Sequence, residues 1–180
     1  MSGIVVSLYT APQSHVPMIS LPVAHLVPGK GIEGDRYYTR PKYLQPGTKT
    51  PYEVTLVEQE ALEALNVRAP GTVRDPSGRR NIVIRSCSLQ TFAGCLFRIG
   101  EVLLCGAALR EASCDSSDHG QHNVCDGLHY HWLGASILTE GWIAPGDCIE
   151  TVSFTLEDLQ SGQALVLPIQ FPISLERETF

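Results

Sequence analysis

LFRIGEVLLCGAAL, residues Leu96–Leu109, reads as two short apolar strands folded about Gly100-Glu101. A two-residue connection with glycine is the size that joins antiparallel strands in a hairpin. The pattern repeats outward from it. GIVVSLYT (Gly3–Thr10) is β-branched and aromatic, and YEVTLV (Tyr52–Val57) alternates. In RRNIVIRS, Ile82 and Ile84 face one side and Val83 the other, and Leu133–Leu138 and CIETVSF (Cys148–Phe154) follow. Met18–Leu26 is apolar enough for a short edge strand between Pro17 and Pro28. Helical spacing occurs clearly once, over Glu58–Asn66, with Ala61, Leu62 and Leu65 on one face and Asn66 placed to cap the end. Residues 155–160 read as a helical turn, and Ala164–Ile173 as a closing strand broken by Pro168 and Pro172.

Two turns carry their own signatures. Asp75-Pro76-Ser77-Gly78 has proline second and glycine fourth, as a type I turn prefers. Ala144-Pro145-Gly146-Asp147 fits type II, with Pro145 and Gly146 at the central positions. The count comes to about seven or eight strands, not alternating regularly with helices, so a doubly wound parallel sheet is not expected. The expected fold is mainly β: a closed or nearly closed β-barrel with one or two short helices, one of them plugging an end. A single domain covers residues 1–180, its core over roughly 3–151 and a C-terminal extension over 152–180.

Composition limits the function classes. The formal charge of −6 disfavours nucleic acid and anionic membranes as partners. No apolar run approaches the ~20 residues of a membrane span, and the first residues lack a basic signal region. The expectation is a cytoplasmic protein with reduced thiols, in which Cys87, Cys95, Cys105 and Cys148 are buried and inert.

CDSSDHGQHNVCDGLHYH, Cys114–His131, differs from everything around it. It is too poor in apolar residues to build core and reads as a surface loop at the rim of a site. Cys114, His119, His122 and Cys125 are spaced Cys-x4-His-x2-His-x2-Cys, the ligand types of tetrahedral zinc. His129 and His131 would share a face if the segment were extended. Cys114 read alone is a nucleophile or soft metal ligand, active as thiolate, with Arg110 and His119 near enough in sequence to favour that form. GKGIEGDRYY (Gly29–Tyr38) is a glycine-rich loop that is either a plain turn or a phosphate cradle, and it lacks the Walker spacing. Lys30, Arg36, Arg79, Arg80 and Arg85 suit an anionic cofactor tail or are solubility charges. Asp35 is expected to fix its loop through a local hydrogen bond or ion pair.

GIEGDR (Gly31–Arg36), RRNIVIR (Arg79–Arg85), FRIGEVLL (Phe97–Leu104), a lone cysteine shortly after that strand, and GWIAPGDCIE (Gly141–Glu150) occur in this order, and together they resemble a MOSC domain. The resemblance spans roughly residues 3–151. It implies a barrel akin to the small barrel of pyruvate kinase and a molybdenum cofactor as the bound group. It also implies Cys114 as metal ligand or sulfur carrier, and Arg80, Asn81 and Ile82 on the pterin and phosphate side. Arg79, Arg80 and Asn81 are the expected contacts of the pterin or phosphate, and Arg36 and Lys30 add basic groups for the anionic tail. Two positions depart from the family's pattern: Ser113 stands where proline commonly precedes the cysteine, and HYHWLGASIL (His129–Leu138) has no arginine. Three readings stay open. One is a molybdenum-cofactor oxidoreductase acting on small N-hydroxylated compounds with a redox partner. Another is a persulfide sulfurtransferase served by a sulfur-donor protein. The third is a non-catalytic module that binds zinc or a cofactor. The only lysines are Lys30, Lys42 and Lys49, all in loop-like stretches, so pyridoxal phosphate is not expected. The sequence leaves the oligomeric state undetermined.

Overall fold

The hairpin at Gly100 forms as its sequence predicts. The computed structural model describes residues 2–39, 52–68, 70–71, 75–113 and 129–152. In it, β7 (Leu96–Ile99) and β8 (Val102–Ser113) pair antiparallel from Leu96↔Cys105 to Ile99↔Val102, and Gly100 turns the chain at φ +55°. The other elements are β1 (Ser2–Thr10), β2 (Ile19–Leu21), β3 (Ala24–Val27), β4 (Gly31–Ile32), β5 (Val54–Glu58), α1 (Gln59–Arg68), β6 (Ile82–Arg85), a 3-10 turn (Leu89–Thr91), β9 (His129–Ile137), β10 (Gly141–Ile143) and β11 (Cys148–Thr151).

Seven strands close into a barrel in the order β1-β11-β7-β8-β9-β5-β6 and back to β1. β1 makes the closure. It pairs with β11 through Ser2↔Glu150 to Ile4↔Cys148, and with β6 from Ile4↔Arg85 to Leu8↔Ile82 across a bulge between Val5 and Ser7. A bulge bends and twists a strand, which closure requires. Inside lie Leu8, Leu56, Ile82, Ile84, Phe92, Phe97, Ile99, Leu104, Leu133 and Ile149, all buried. Val83 points the other way, as the alternation of β6 predicts, and joins Val57 and Leu62 in a second cluster. Leu62 belongs to α1, so the helix lies on the outer wall of β5, β6 and β9 instead of plugging an end. Both predicted turns form: Gly78 N–H donates to Asp75 O at 2.9 Å, Asp147 N–H to Ala144 O at 3.1 Å, and Gly146 has φ +96°.

Three local expectations change, and one pairing had no signal. The segment Met18–Leu26 is two strands, because Pro22 lacks an N–H to continue a ladder. β2 pairs with β1, whereas β3 pairs with β4 and β10 in a separate three-stranded sheet. There the His25 ring stacks on Trp142 at 4.5 Å, and its nitrogens meet Glu33 at 3.0 Å and Glu140 at 3.1 Å. β5 and β6 are parallel, with α1 in the connection between them, a crossover the irregular strand order concealed. The helix runs two residues past Asn66, whose Oδ1 accepts from Gly71 N at 3.0 Å. His129 and His131 lie in β9, not in a loop: Glu111↔His131 and Ser113↔His129 continue the β8 ladder. Backbone pairing supplies what the side chains there could not advertise.

Candidate functional site

Two stretches far apart in the chain converge on one cavity. The turn after β4 carries Asp35, Arg36 and Tyr37, and the DPSG turn before β6 carries Arg79, Arg80 and Asn81. Together with Lys30, Tyr52, Glu53 and Thr55 they enclose a cleft of about 90 Å³. Of the basic and amide residues expected at an anionic cofactor, Lys30, Arg36, Arg79, Arg80 and Asn81 line it, and Arg85 does not.

Local structure explains the convergence. Ser77 is buried and donates through its hydroxyl to Asp75 Oδ1, which also accepts Ser77 N–H at 2.9 Å. Ser77 Oγ then accepts Arg79 N–H at 3.0 Å, and Arg79 takes a left-handed φ of +58°. Tyr130 reaches across from β9 and donates to Gly78 O at 2.9 Å. Gly78 sits at φ +54°, and a Cβ there would lie 2.8 Å from Leu62 Cδ2, so glycine suits the turn's seat against α1. On the other side, Asp35 accepts from Ala11 N at 3.2 Å and Tyr37 N at 3.0 Å, fixing its loop as expected. Glu53 ties Gly29 N (3.1 Å) to Ile137 N (2.9 Å), which anchors the segment bearing Lys30.

The cations differ in how far the protein satisfies them. Arg36 donates through one terminal nitrogen to Gln13 O at 3.3 Å, and its guanidinium lies 4.7 Å from the Tyr37 ring. Arg79 donates to Val16 O at 3.4 Å. Arg80 stacks 4.3 Å above Trp132, which Arg110 also approaches at 6.0 Å, and Tyr52 meets Trp132 edge-on at 5.4 Å. The Nε atoms of Arg36 and Arg80 are both buried without a hydrogen-bond partner among the described residues. No salt bridge among the described residues involves Lys30, Arg36, Arg79 or Arg80. The two carboxylates of the cleft, Asp35 and Glu53, are committed to backbone N–H groups, and burial pushes the Glu53 carboxyl above its ordinary pKa. Four cations facing two committed carboxylates make a local positive field on a chain of net charge −6.

Asn81 has a different employment. Its Oδ1 accepts from Thr55 N (3.1 Å) and Thr55 Oγ1 (2.8 Å), and its Nδ2 donates to Tyr9 O (3.2 Å). All three bonds bind strand to strand, leaving little of the amide for a ligand.

Cys114, His119, His122 and Cys125 lie outside the described residues. Among the described residues no cluster of His, Cys, Asp and Glu could hold a metal ion. Cys95 and Cys148 are exposed, not buried as their apolar neighbours suggested; Cys87 and Cys105 are half-buried. Burial, together with Glu58 and Glu60, pushes the Cys87 thiol up to about 11, so it is protonated at neutral pH. No helix among the described residues is long and apolar enough to cross a membrane. Sequence reasoning missed Tyr52, Glu53, Trp132 and the placement of Arg110. Aromatic residues in strands read as ordinary core, and only pairing across the sheet aligns Arg110 with Trp132.

Comparison with known proteins places the fold. No protein-family profile matches the chain, and no curated protein does. Solved structures do. YiiM from Escherichia coli superposes with a TM-score of 0.57 at 19% identity, over 86% of this chain and 71% of its own. The YuaD protein from Bacillus subtilis gives a TM-score of 0.58 at 15% identity, over 86% of this chain and 98% of its own. A further structure, described as that of a hypothetical protein, gives 0.58 at 19% identity, over 86% and 68%. The barrel is thus a fold shared with MOSC-domain proteins.

Proposed function

We propose that this chain is a MOSC-type protein whose basic cleft holds the anionic end of a molybdenum cofactor, with the Cys114 thiolate as a ligand of the metal. The observation that carries the reading is the pair of buried Arg36 and Arg80 Nε atoms without acceptors among the described residues. A buried donor left unpaired costs about 1–3 kcal/mol, and an anionic oxygen would remove that cost. Supporting it, GIEGDR and RRNIVIR, the two basic motifs of the resemblance, meet at this one cavity. Arginine is missing from residues 129–138, but Arg110 on the paired strand brings a guanidinium to Trp132. Cys114 is the residue after Ser113, the last of β8, whose partner His129 is three positions from Trp132.

When bound, the cofactor would supply two-electron chemistry at molybdenum, with N-hydroxylated compounds as substrates and a partner protein as electron source. The chain's own residues would do the binding. Arg36 and Arg80 would grip the anion, with Tyr37 and Trp132 supporting the guanidinium faces. Asp35 and Glu53 would hold the two loops in register.

The test is molybdenum, zinc and pterin content of protein made in a host that synthesises the cofactor. Wild type, Cys114→Ser and the double variant Arg36→Met/Arg80→Met are compared. The reading expects molybdenum and pterin in wild type, molybdenum lost in Cys114→Ser, and both lost in the arginine variant. Stoichiometric zinc without molybdenum would overturn it in favour of the set Cys114, His119, His122 and Cys125. A persulfide on Cys114 with neither metal would instead make the chain a sulfur carrier.

A further inference from the structure

A second and larger cavity, of about 350 Å³, lies between α1, the 3-10 turn and the β8–β9 ribbon. One face of the helix forms its wall: Ala61, Ala64, Leu65 and Arg68 are spaced i, i+3, i+4 and i+7. The two alanines stand where bulkier side chains would fill the space. Leu89 and Leu109 complete an apolar floor, and His129 and His131 line the opposite side. Tyr130 stands between the two histidines on β9 and also lines the cavity.

The polar groups are unequal in their commitments. Glu58 is the carboxylate of this cavity, and it accepts Leu89 N–H at 2.6 Å. His129 faces Glu111 at 3.7 Å. The side chains of Arg68 and His131 have no hydrogen-bond or ion-pair partner among the described residues. An apolar floor with uncommitted basic groups at its rim suits a ligand with one negative charge and a hydrocarbon body. A cation would meet Glu58, already bonded to Leu89 N–H, and Glu111, which faces His129.

We propose that this cavity binds a small amphipathic carboxylate, its hydrocarbon on Leu65, Leu89 and Leu109 and its carboxylate held by Arg68 and His131. The proposal is independent of the cofactor reading, since none of the cleft's arginines takes part. Calorimetric titration of the full chain with octanoate, and with octylammonium as the reversed charge, tests it. Octanoate is expected to saturate at one per chain and to bind at least about tenfold tighter than octylammonium. Losing one charge-assisted hydrogen bond lowers affinity about tenfold or more, which is the loss expected in Arg68→Met. Ala64→Phe, which fills the cavity without touching a charge, should abolish binding while leaving the circular dichroism spectrum and urea midpoint close to wild type. Equal affinity for the two charges, unchanged binding in Arg68→Met, or no saturable binding of octanoate to wild type would each overturn the proposal. If Ala64→Phe does not fold, Arg68→Met, which alters an exposed side chain, decides alone.

Discussion

Replacing Asn81 with alanine separates a barrel lock from a ligand contact. The resemblance puts Asn81 at the cofactor, whereas its amide makes three hydrogen bonds that join β6 to Thr55 of β5 and Tyr9 of β1. Removing it takes away bonds worth roughly 0.5–1.5 kcal/mol each. It also leaves Thr55 N–H and Tyr9 C=O with one partner fewer in a partly buried seam. The expected loss is about 2–4 kcal/mol, or a fall in Tm of about 5–15 °C for a domain of this size. Urea unfolding of Asn81→Ala beside wild type measures it, read from the midpoint at unchanged slope. Asn81→Asp is the sharper companion. It keeps the acceptor for Thr55 but sets a carboxylate oxygen against Tyr9 O, so it should be destabilised as well. A midpoint within experimental error of wild type for Asn81→Ala would refute the assignment and return Asn81 to the cleft as a ligand residue. Arg80→Met gives the contrast, because it removes a cation that stacks on Trp132 but whose Nε has no hydrogen-bond partner among the described residues. Its midpoint should stay close to wild type.

Gly78→Ala forces a Cβ to within 2.8 Å of Leu62 at a φ of +54°, and a thermal melt should show destabilisation of about 1–3 kcal/mol. The thiols offer a pH test. With its pKa raised to about 11 in the folded state, Cys87 should resist iodoacetamide at pH 7.5 while exposed Cys95 and Cys148 are alkylated first, as peptide mass mapping will resolve. Above the ordinary thiol range the unfolded chain releases this proton before the folded one does. The Cys87 contribution therefore makes stability fall between about pH 9 and 11, and Cys87→Ala should flatten that decline.

Much of this protein was legible in its amino-acid order, and the legible part is local. Alternation separated Ile82 and Ile84 from Val83, proline and glycine placed the turns at Asp75 and Ala144, and 3.6-residue spacing found α1 with Leu62 and Leu65 buried. Each signal depends on neighbours a few residues apart, where backbone geometry leaves a small set of conformations. The five cleft residues were also named in advance, Lys30, Arg36, Arg79 and Arg80 for their charge and Asn81 by resemblance, but nothing local said that they meet. What only the tertiary structure decided is which distant groups meet and what each is already doing. Closure of β1 onto β6 and β11 brings the turn at Arg36 to the turn at Arg80. Cross-strand pairing sets Arg110 against Trp132 and extends β9 to His129. Hydrogen bonds across the strands turn Asn81, a ligand residue by resemblance, into a fastening of the wall. The physical reason is that a side chain's task follows from the partners that satisfy it, and here those partners lie tens of residues away along the chain.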